Sequence, residues 1–250
     1  MTYDLTVFDL ETTGPDKDSC LPVQIGCLLL SEGEKPLTIM NKLCDPGIHI
    51  PRGASKKHGI YDKDVENQDN YLSVIASFVD NLESLNSEKP IILCGHNARG
   101  YDIPIVNRIA FTNLEELYPV IDTLHLAFRL VPEMDSHRLE LIHQPLTGKK
   151  TDNELTHSAL YDCQLVADIM EVFEEDFKKD FPTIKDIADY LSEPIVLEKM
   201  PFGKHKSKYF ESLPLEYVEW LWNNIPTMTD GIKQDLEKSI RHYFGKYIED

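Results

Sequence analysis

Asp9 and Glu11 are the first residues in the chain whose types and spacing could do chemistry. They lie two apart in Thr6-Val7-Phe8-Asp9-Leu10-Glu11-Thr12-Thr13-Gly14, a stretch that reads as a strand. Residues i and i+2 of a strand share a face, so the two carboxylates project side by side while Phe8 and Leu10 take the other face. Adjacent acids are costly to bury unless a cation compensates them. An edge strand with solvated acids is the plain alternative. The apolar flanks and the Thr-Thr-Gly turn that follows predict instead a central strand whose carboxylates open onto a metal site at its end.

Two later stretches supply further candidates. His96-Asn97-Ala98-Arg99-Gly100-Tyr101-Asp102 follows a short apolar run and places a carboxylate just beyond it. Taken alone, Asp102 reads as an ordinary helix N-cap. His157-Ser158-Ala159-Leu160-Tyr161-Asp162 supplies an imidazole and another acid. At about 100° per residue, i and i+5 of a helix lie roughly 140° apart, so one helical face cannot hold both. The spacing predicts His157 in the loop before a helix and Asp162 in its first turns. Asp162 then shares a row with Val166 and Met170 at the edge of the buried face. A solvated helix charge and a surface loop residue are the alternatives for these two.

The elements that must position these groups are legible in outline. Strands are predicted near Asp4–Leu10, Val23–Leu30 and Leu37–Cys44, with turn residues at Gly14-Pro15-Asp16 and Glu32-Gly33-Glu34. Short connections imply antiparallel pairing. A helix near Tyr71–Leu85 shows the stripe Val74, Ile75, Phe78, Val79 and Leu82. Pro90–Cys94 and Val120-Ile121 are short apolar strands, and Asp122 or Thr123 caps a helix carrying Leu124, Leu126 and Phe128. A helix follows Asp102, with Pro104 in its first turn. Another begins near Ser158 and runs to about Lys179, and a capping-box start at Thr183 opens a short one to about Leu191. These elements make an α/β chain with one mixed five-stranded sheet flanked by helices. The expected division is a main domain over 1–180, a helix and linker over 181–198, and a small C-terminal α+β module over 199–250.

Taken in order, D-x-E-T-T-G, H-N-x-x-x-Y-D and H-x-x-x-x-D resemble the DEDDh superfamily of 3′–5′ exonucleases, which has an RNase H-like fold. Ala54–Ile60 and Ile121-Asp122-Thr123-Leu124 are similar to segments that fall between those motifs. The resemblance covers about residues 1–180. His157–Met170 and the tail from Met200 to Asn224 look most like bacterial exonuclease X. One departure is an extra residue in the second motif, at Arg99-Gly100, a spacing more like that of the animal TREX exonucleases.

The resemblance implies metal-dependent hydrolysis of DNA from the 3′ end to nucleoside 5′-monophosphates, in repair or degradation. Carboxylates without a zinc-type Cys/His set suit hard cations, Mg²⁺ or Mn²⁺, two per site. Asp9 is expected to bridge both ions, with Glu11, Asp102 and Asp162 completing their shells. His157 is expected to be the general base. The resemblance also implies that Leu10, Thr12 and Thr13 hold the terminal nucleotide, with His96, Asn97 and Tyr61 in support. Lys204 and Lys206 are expected contacts in the tail.

Composition sets limits on partners. The net charge is −18, and residues 199–250 carry eight Lys/Arg and eight Asp/Glu, so the whole excess lies on residues 1–198. An acidic body repels a phosphate backbone at long range. Contact with DNA, as a single strand or a frayed 3′ end, must therefore come through metal ions or a local basic patch. Residues 201–210 hold Lys204, Lys206 and Lys208 and no acid, and their alternation predicts a short hairpin with the lysines on one side. Trp220 is expected in a small satellite core there. Lys149-Lys150 form a second candidate patch. Five cysteines without a C-x-x-C pair suit core positions in a reducing compartment, hence a cytoplasmic protein. No leader and no membrane association are expected, and a homodimer is allowed. The competing classes are a ribonuclease of the same superfamily, an inactive nucleic-acid-binding scaffold, and an acidic Ca²⁺-binding protein. The last lacks the D-x-[DN]-x-[DN]-G loop.

Overall fold

Five strands, β1 (Asp4–Thr12), β2 (Pro22–Leu30), β3 (Leu37–Leu43), β4 (Ile91–Gly95) and β5 (Val120–Asp122), form one mixed sheet in the order β3-β2-β1-β4-β5. The structure is a computed structural model and describes residues 3–228 and 232–247. The remaining residues of the expected C-terminal module lie outside the described residues. The first three strands pair antiparallel, while β1–β4 and β4–β5 are parallel. Helices α1 (Arg52–His58), α2 (Asp62–Val65) and α3 (Tyr71–Glu88) join β3 to β4, and α4 (Asp102–Ala110) and α5 (Leu114–Leu117) join β4 to β5. After β5 come α6 (Thr123–Leu130), α7 (Leu139–Thr147), α8 (Ala159–Asp176), α9 (Ile184–Ser192), α10 (Leu215–Asn224) and α11 (Lys233–Phe244). None of the described helices is long and apolar enough to cross a membrane.

Alternation along β1 divides the core. Phe8 and Leu10 pack with α3 and α4 through Val74, Phe78, Ile103 and Val106. Leu5 and Val7 pack on the other side against α8, through Leu165, Val166, Ile169 and Met170. Asp9 and Glu11 continue the second row, so they share the sheet face that α8 covers. All five cysteines are buried free thiols.

Gly26 sets how closely α8 can approach. It lies opposite Asp9 in the β1–β2 register. A Cβ placed on Gly26 would sit 2.5 Å from the Ala159 carbonyl carbon and the Leu160 nitrogen. The start of α8 thus rests directly on the sheet backbone, and Asp162 follows one turn later. Gly26→Ala is expected to destabilise the fold by about 1–3 kcal/mol, since overpacking at a backbone contact has no side chain to yield. Gly53→Ala in α1, where a Cβ meets nothing within 4 Å, is the matched control and should change stability little. Urea unfolding of the two variants checks this; equal midpoints would show that α8 has slack at Gly26.

The C-terminal segment differs from expectation in two respects. The predicted hairpin over 201–210 is reduced to one bridge, Lys199 to Tyr209, closed by hydrogen bonds between Met200 and Lys208 and between Phe210 and Glu198. Left-handed φ angles at Gly203 (73°) and Ser207 (64°) break the alternation, and Gly203–His205 wind into a 3₁₀ turn. Trp220, expected in the satellite core, is 53% exposed. Val218, Leu221 and Ile225 define the buried face of α10 and pack with Leu236 and Ile240 of α11, which leaves Trp220 on the opposite face.

This module shares its core with the main body through Leu124 and Phe128 of α6. Buried Asp235 reinforces the joint, accepting hydrogen bonds from His125, Arg129 and the Ile195 backbone at 2.7–2.9 Å. α9, expected at the head of a linker, buries Ile187, Ala188 and Leu191 in the same cluster as α8.

Candidate active site

The site begins where β1 outruns its neighbour. β4 pairs with β1 only over Asp4–Val7, so the last residues of β1 have no strand on that side. The Leu10 N–H instead donates to Asp102 Oδ1 at 3.1 Å. Asp102 opens α4 and is buried, so this bond fixes its carboxylate beside the row formed by Asp9 and Glu11. The loop before it is held by Asp122 at the end of β5, which accepts from the Asn97 N–H (2.9 Å) and the Arg99 N–H (3.0 Å) as well as capping α6. Asn97 takes a left-handed φ of 63°. Tyr101, just before Asp102, reaches back to the end of β1. Its hydroxyl donates to the Gly14 carbonyl and lies in hydrogen-bonding range of Thr12 Oγ1.

α8 brings the fourth acid. The Ala159 N–H at its start donates to Gln24 Oε1 at 3.2 Å, and Gln24 lies opposite Glu11 on β2. Asp162 is buried in the first turn and accepts a long bond, 3.4 Å, from the His157 N–H. His157 itself stands in the preceding loop with a left-handed φ of 64°, half-buried. Such a backbone is uncommon for a residue with a Cβ and turns the imidazole out of the helical path. One ligand atom each from Glu11, His157 and Asp162 lie within 4.8 Å of one another.

The electrostatics of this cluster are those of a cation site. Burial pushes the Glu11 carboxyl up to about 8, opposed by Lys57 and reinforced by Asp162 and Asp102. Burial also takes Asp102 to about 8, against its hydrogen bonds from the Leu10 and Asp102 N–H groups. Asp162 rises to about 6 by burial, moderated by the His157 N–H and by Lys57. Asp9 is raised well above the carboxylate range by burial and by the charges of Asp102, Asp162 and Glu11. Four carboxylates that resist ionising together, at a place built only of oxygen donors and one imidazole, fit hard divalent cations. His157 is held below the ordinary imidazole value by burial and by Lys57, so it is neutral at pH 7 and able to accept a proton.

The expected substrate contacts divide by position. Leu10, Thr12 and Thr13 line the end of β1, where Thr13 Oγ1 accepts from the Leu21 N–H at 3.0 Å. Asn97 lies in the loop after β4, and its buried side-chain oxygen has no hydrogen-bond partner. His96 is tied down at both ring nitrogens, to Thr123 Oγ1 (3.0 Å) and the His137 carbonyl (2.8 Å). Tyr61 is half exposed and lines a groove with His49, Arg52 and Asp62, to which none of the four acids contributes. Lys206 donates to the Met134 and Asp135 carbonyls, which docks the C-terminal module onto the body. Lys149 is engaged with Asp168 and Glu171 on α8.

Several residues around the site gain their importance only in the folded chain. Lys57 is the positive charge that acts on all four acids and His157. His58 beside it accepts from the Ile60 N–H through Nδ1, so its Nε2 carries the proton that meets the Thr12 carbonyl at 3.2 Å. Both lie in the Ala54–Ile60 segment, whose lysine and histidine were the available signal. Gln24 and Gly26 gave none, because their importance comes from where α8 lands.

A family model described as Exonuclease (RNase_T) matches residues 6–170. A second, described as putative quorum-sensing-regulated virulence factor, matches residues 189–226. DNA polymerase III PolC-type of Clostridium perfringens is 27% identical over 198 residues, covering 78% of this chain and 13% of the polymerase. The PolC-type polymerase of Streptococcus pyogenes serotype M18 is 29% identical over 176 residues, covering 69% and 11%. The chain therefore spans only a small part of these relatives. Among solved structures, Escherichia coli exonuclease I in complex with a dT13 oligonucleotide aligns with a TM-score of 0.59 at 18% identity, covering 76% of this chain and 44% of that one. Exonuclease I from Methylocaldum szegediense aligns with a TM-score of 0.56 at 18% identity, covering 79% and 48%. These structural matches share the RNase H-like fold.

Proposed function

The chain belongs to the RNase_T exonuclease family, and we propose that it is a divalent-metal-dependent 3′–5′ exodeoxyribonuclease releasing nucleoside 5′-monophosphates. The observation that carries this reading is the meeting of Asp9, Glu11, Asp102 and Asp162, drawn from three separate parts of the chain, beside the imidazole of His157. The four acids would hold two ions, Mg²⁺ or Mn²⁺. Bound there, the ions would acidify a water and neutralise charge gathering on the phosphate. His157, neutral at pH 7, takes the proton of that water as its oxygen attacks the last phosphorus. The bond from phosphorus to the 3′ oxygen of the preceding nucleotide breaks, and that oxygen takes a proton from solvent water to leave as the new 3′ hydroxyl. Leu10, Thr12 and Thr13 at the end of β1 position the terminal nucleotide, and Asn97 offers its unpartnered oxygen.

The choice of DNA rests on relatives that are DNA polymerases and on exonuclease I, whose solved structure holds an oligonucleotide of dT. We place the protein in DNA repair or degradation, and its five free thiols suit a reducing, cytoplasmic compartment. The test uses matched DNA and RNA strands labelled at the 5′ end, with Mg²⁺ or EDTA. A Mg²⁺-dependent ladder shortening one nucleotide at a time on DNA is the expected result. Faster loss of the RNA would reassign the substrate, and no shortening of either would overturn the reading.

A further inference from the structure

The C-terminal module carries an open groove of about 650 Å³, lined by Phe202, Lys204, His205, Tyr217 and Trp220 among others. Tyr217 and Trp220 stack with centroids 5.6 Å apart and planes 22° apart, Tyr217 resting against the module's core and Trp220 facing outward. Trp220 is 53% exposed, a flat apolar surface offered to water. His205 is only 8% exposed and packs 4.4 Å from the Tyr217 ring, yet its Nδ1 has no hydrogen-bond partner. A buried ring nitrogen without a partner, lining a groove, is a vacancy for a ligand's donor or acceptor. Lys204 Nζ stands 5.6 Å from the Tyr217 centroid, and Lys208 is exposed nearby in the chain.

Charge decides among occupants. Residues 199–208 contain four lysines and no acid, on a chain whose first 198 residues carry the entire excess of −18. Glu216 is the one acid of the lining. A cationic segment beside stacked aromatic rings suits a polyanion that also has flat faces, which is a single nucleic-acid strand. The groove is also joined to the loop that delivers Asp102. Phe202 packs on Phe128 (5.8 Å), Phe128 on His137 (4.7 Å), and the His137 carbonyl meets His96 Nε2 at 2.8 Å.

We propose that this groove is a second nucleic-acid site, where a base of a single strand stacks on Trp220 and pairs an edge with His205 Nδ1. Lys204 and Lys208 meet the flanking phosphates. The site holds the strand on an otherwise repulsive body, and it rests on the reading that the chain acts on a polynucleotide.

The experiment uses the full chain with Trp222→Phe, which leaves Trp220 as its only tryptophan. Oligo(dT) is titrated in EDTA, where no hydrolysis consumes it. Saturable quenching of Trp220 emission is expected. Anisotropy of a labelled strand should give a Kd about 5- to 150-fold weaker in Trp220→Ala, the loss of one base stack, with recovery in Trp220→Phe. Lys204→Ala should reduce the slope of log affinity against log salt by about 0.7. Binding with unchanged Trp220 emission and equal Kd in Trp220→Ala would overturn the groove, and hydrolysis of the same strand in Mg²⁺ would then leave the nuclease reading standing. Neither binding nor hydrolysis of oligo(dT) or oligo(rU) would overturn both.

Discussion

Withdrawing divalent metal at pH 8 is expected to lower the melting temperature by about 5–10 °C, and the loss should shrink as the pH is brought down to 5. A ligand present at a hundred times its Kd stabilises by about 2.7 kcal/mol, and each kcal/mol moves the midpoint of a chain this size by roughly 2–4 °C. The pH dependence follows from the acids. Glu11 and Asp102 are raised to about 8 in the folded chain and Asp162 to about 6, with Asp9 raised as well. A group whose folded value lies above its unfolded one contributes stability that is complete below the unfolded value, near 4. That stability is lost as pH rises through the folded values. Metal-free protein should therefore weaken steadily from about pH 5 to pH 9, while Mg²⁺ or Mn²⁺ supplies the missing positive charge and flattens the profile. Scanning calorimetry with EDTA and with Mn²⁺ across that range reads both effects. A metal-free midpoint that rose with pH would mean that the acids do not repel one another.

His157→Ala is expected to reduce turnover by about 10²- to 10⁴-fold, the usual worth of a general base, while leaving the Mn²⁺-induced rise in melting temperature in place. The division of roles is a real question here, because one ring atom of His157 comes within 4.8 Å of ligand atoms from Glu11 and Asp162. An imidazole that close could bind the cation directly. The four carboxylates already suit a hard cation, and burial together with Lys57 keeps the ring neutral, which favours the base. If His157→Ala removed the thermal shift as completely as Asp9→Ala, His157 would be a ligand and the proton would need another acceptor.

What the sequence disclosed depended on whether the signal was local. Asp9 and Glu11 announce themselves, since a period-two strand with paired acids admits few arrangements and Phe8 and Leu10 declare the opposite face. The i+5 spacing of His157 and Asp162 placed one before the helix and one in its first turn, which is where they stand. β1 runs two residues past its predicted end because it stays paired with β2 across a bulge at Glu11/Thr12. Trp220 went astray for a different reason. α10 carries Tyr217, Val218, Trp220 and Leu221 on two sides, and only the position of α11 selects Val218 and Leu221 for burial. The tail lysines show the same limit. Lys204 and Lys206 are alike in type and neighbourhood, but the turn at Gly203 directs one to an aromatic ring and the other to carbonyls of the body. Lys57 acts on the acids only because α1 folds back over the end of β1, as the His58 contact with Thr12 shows.

Titration calorimetry of Mn²⁺ into the wild-type chain and into Asp9→Ala tests the convergence of the four acids most directly. Two ions bound per wild-type chain, with little or no heat from Asp9→Ala, is the expected result. Undiminished binding in Asp9→Ala, or no binding to the wild type, would contradict it.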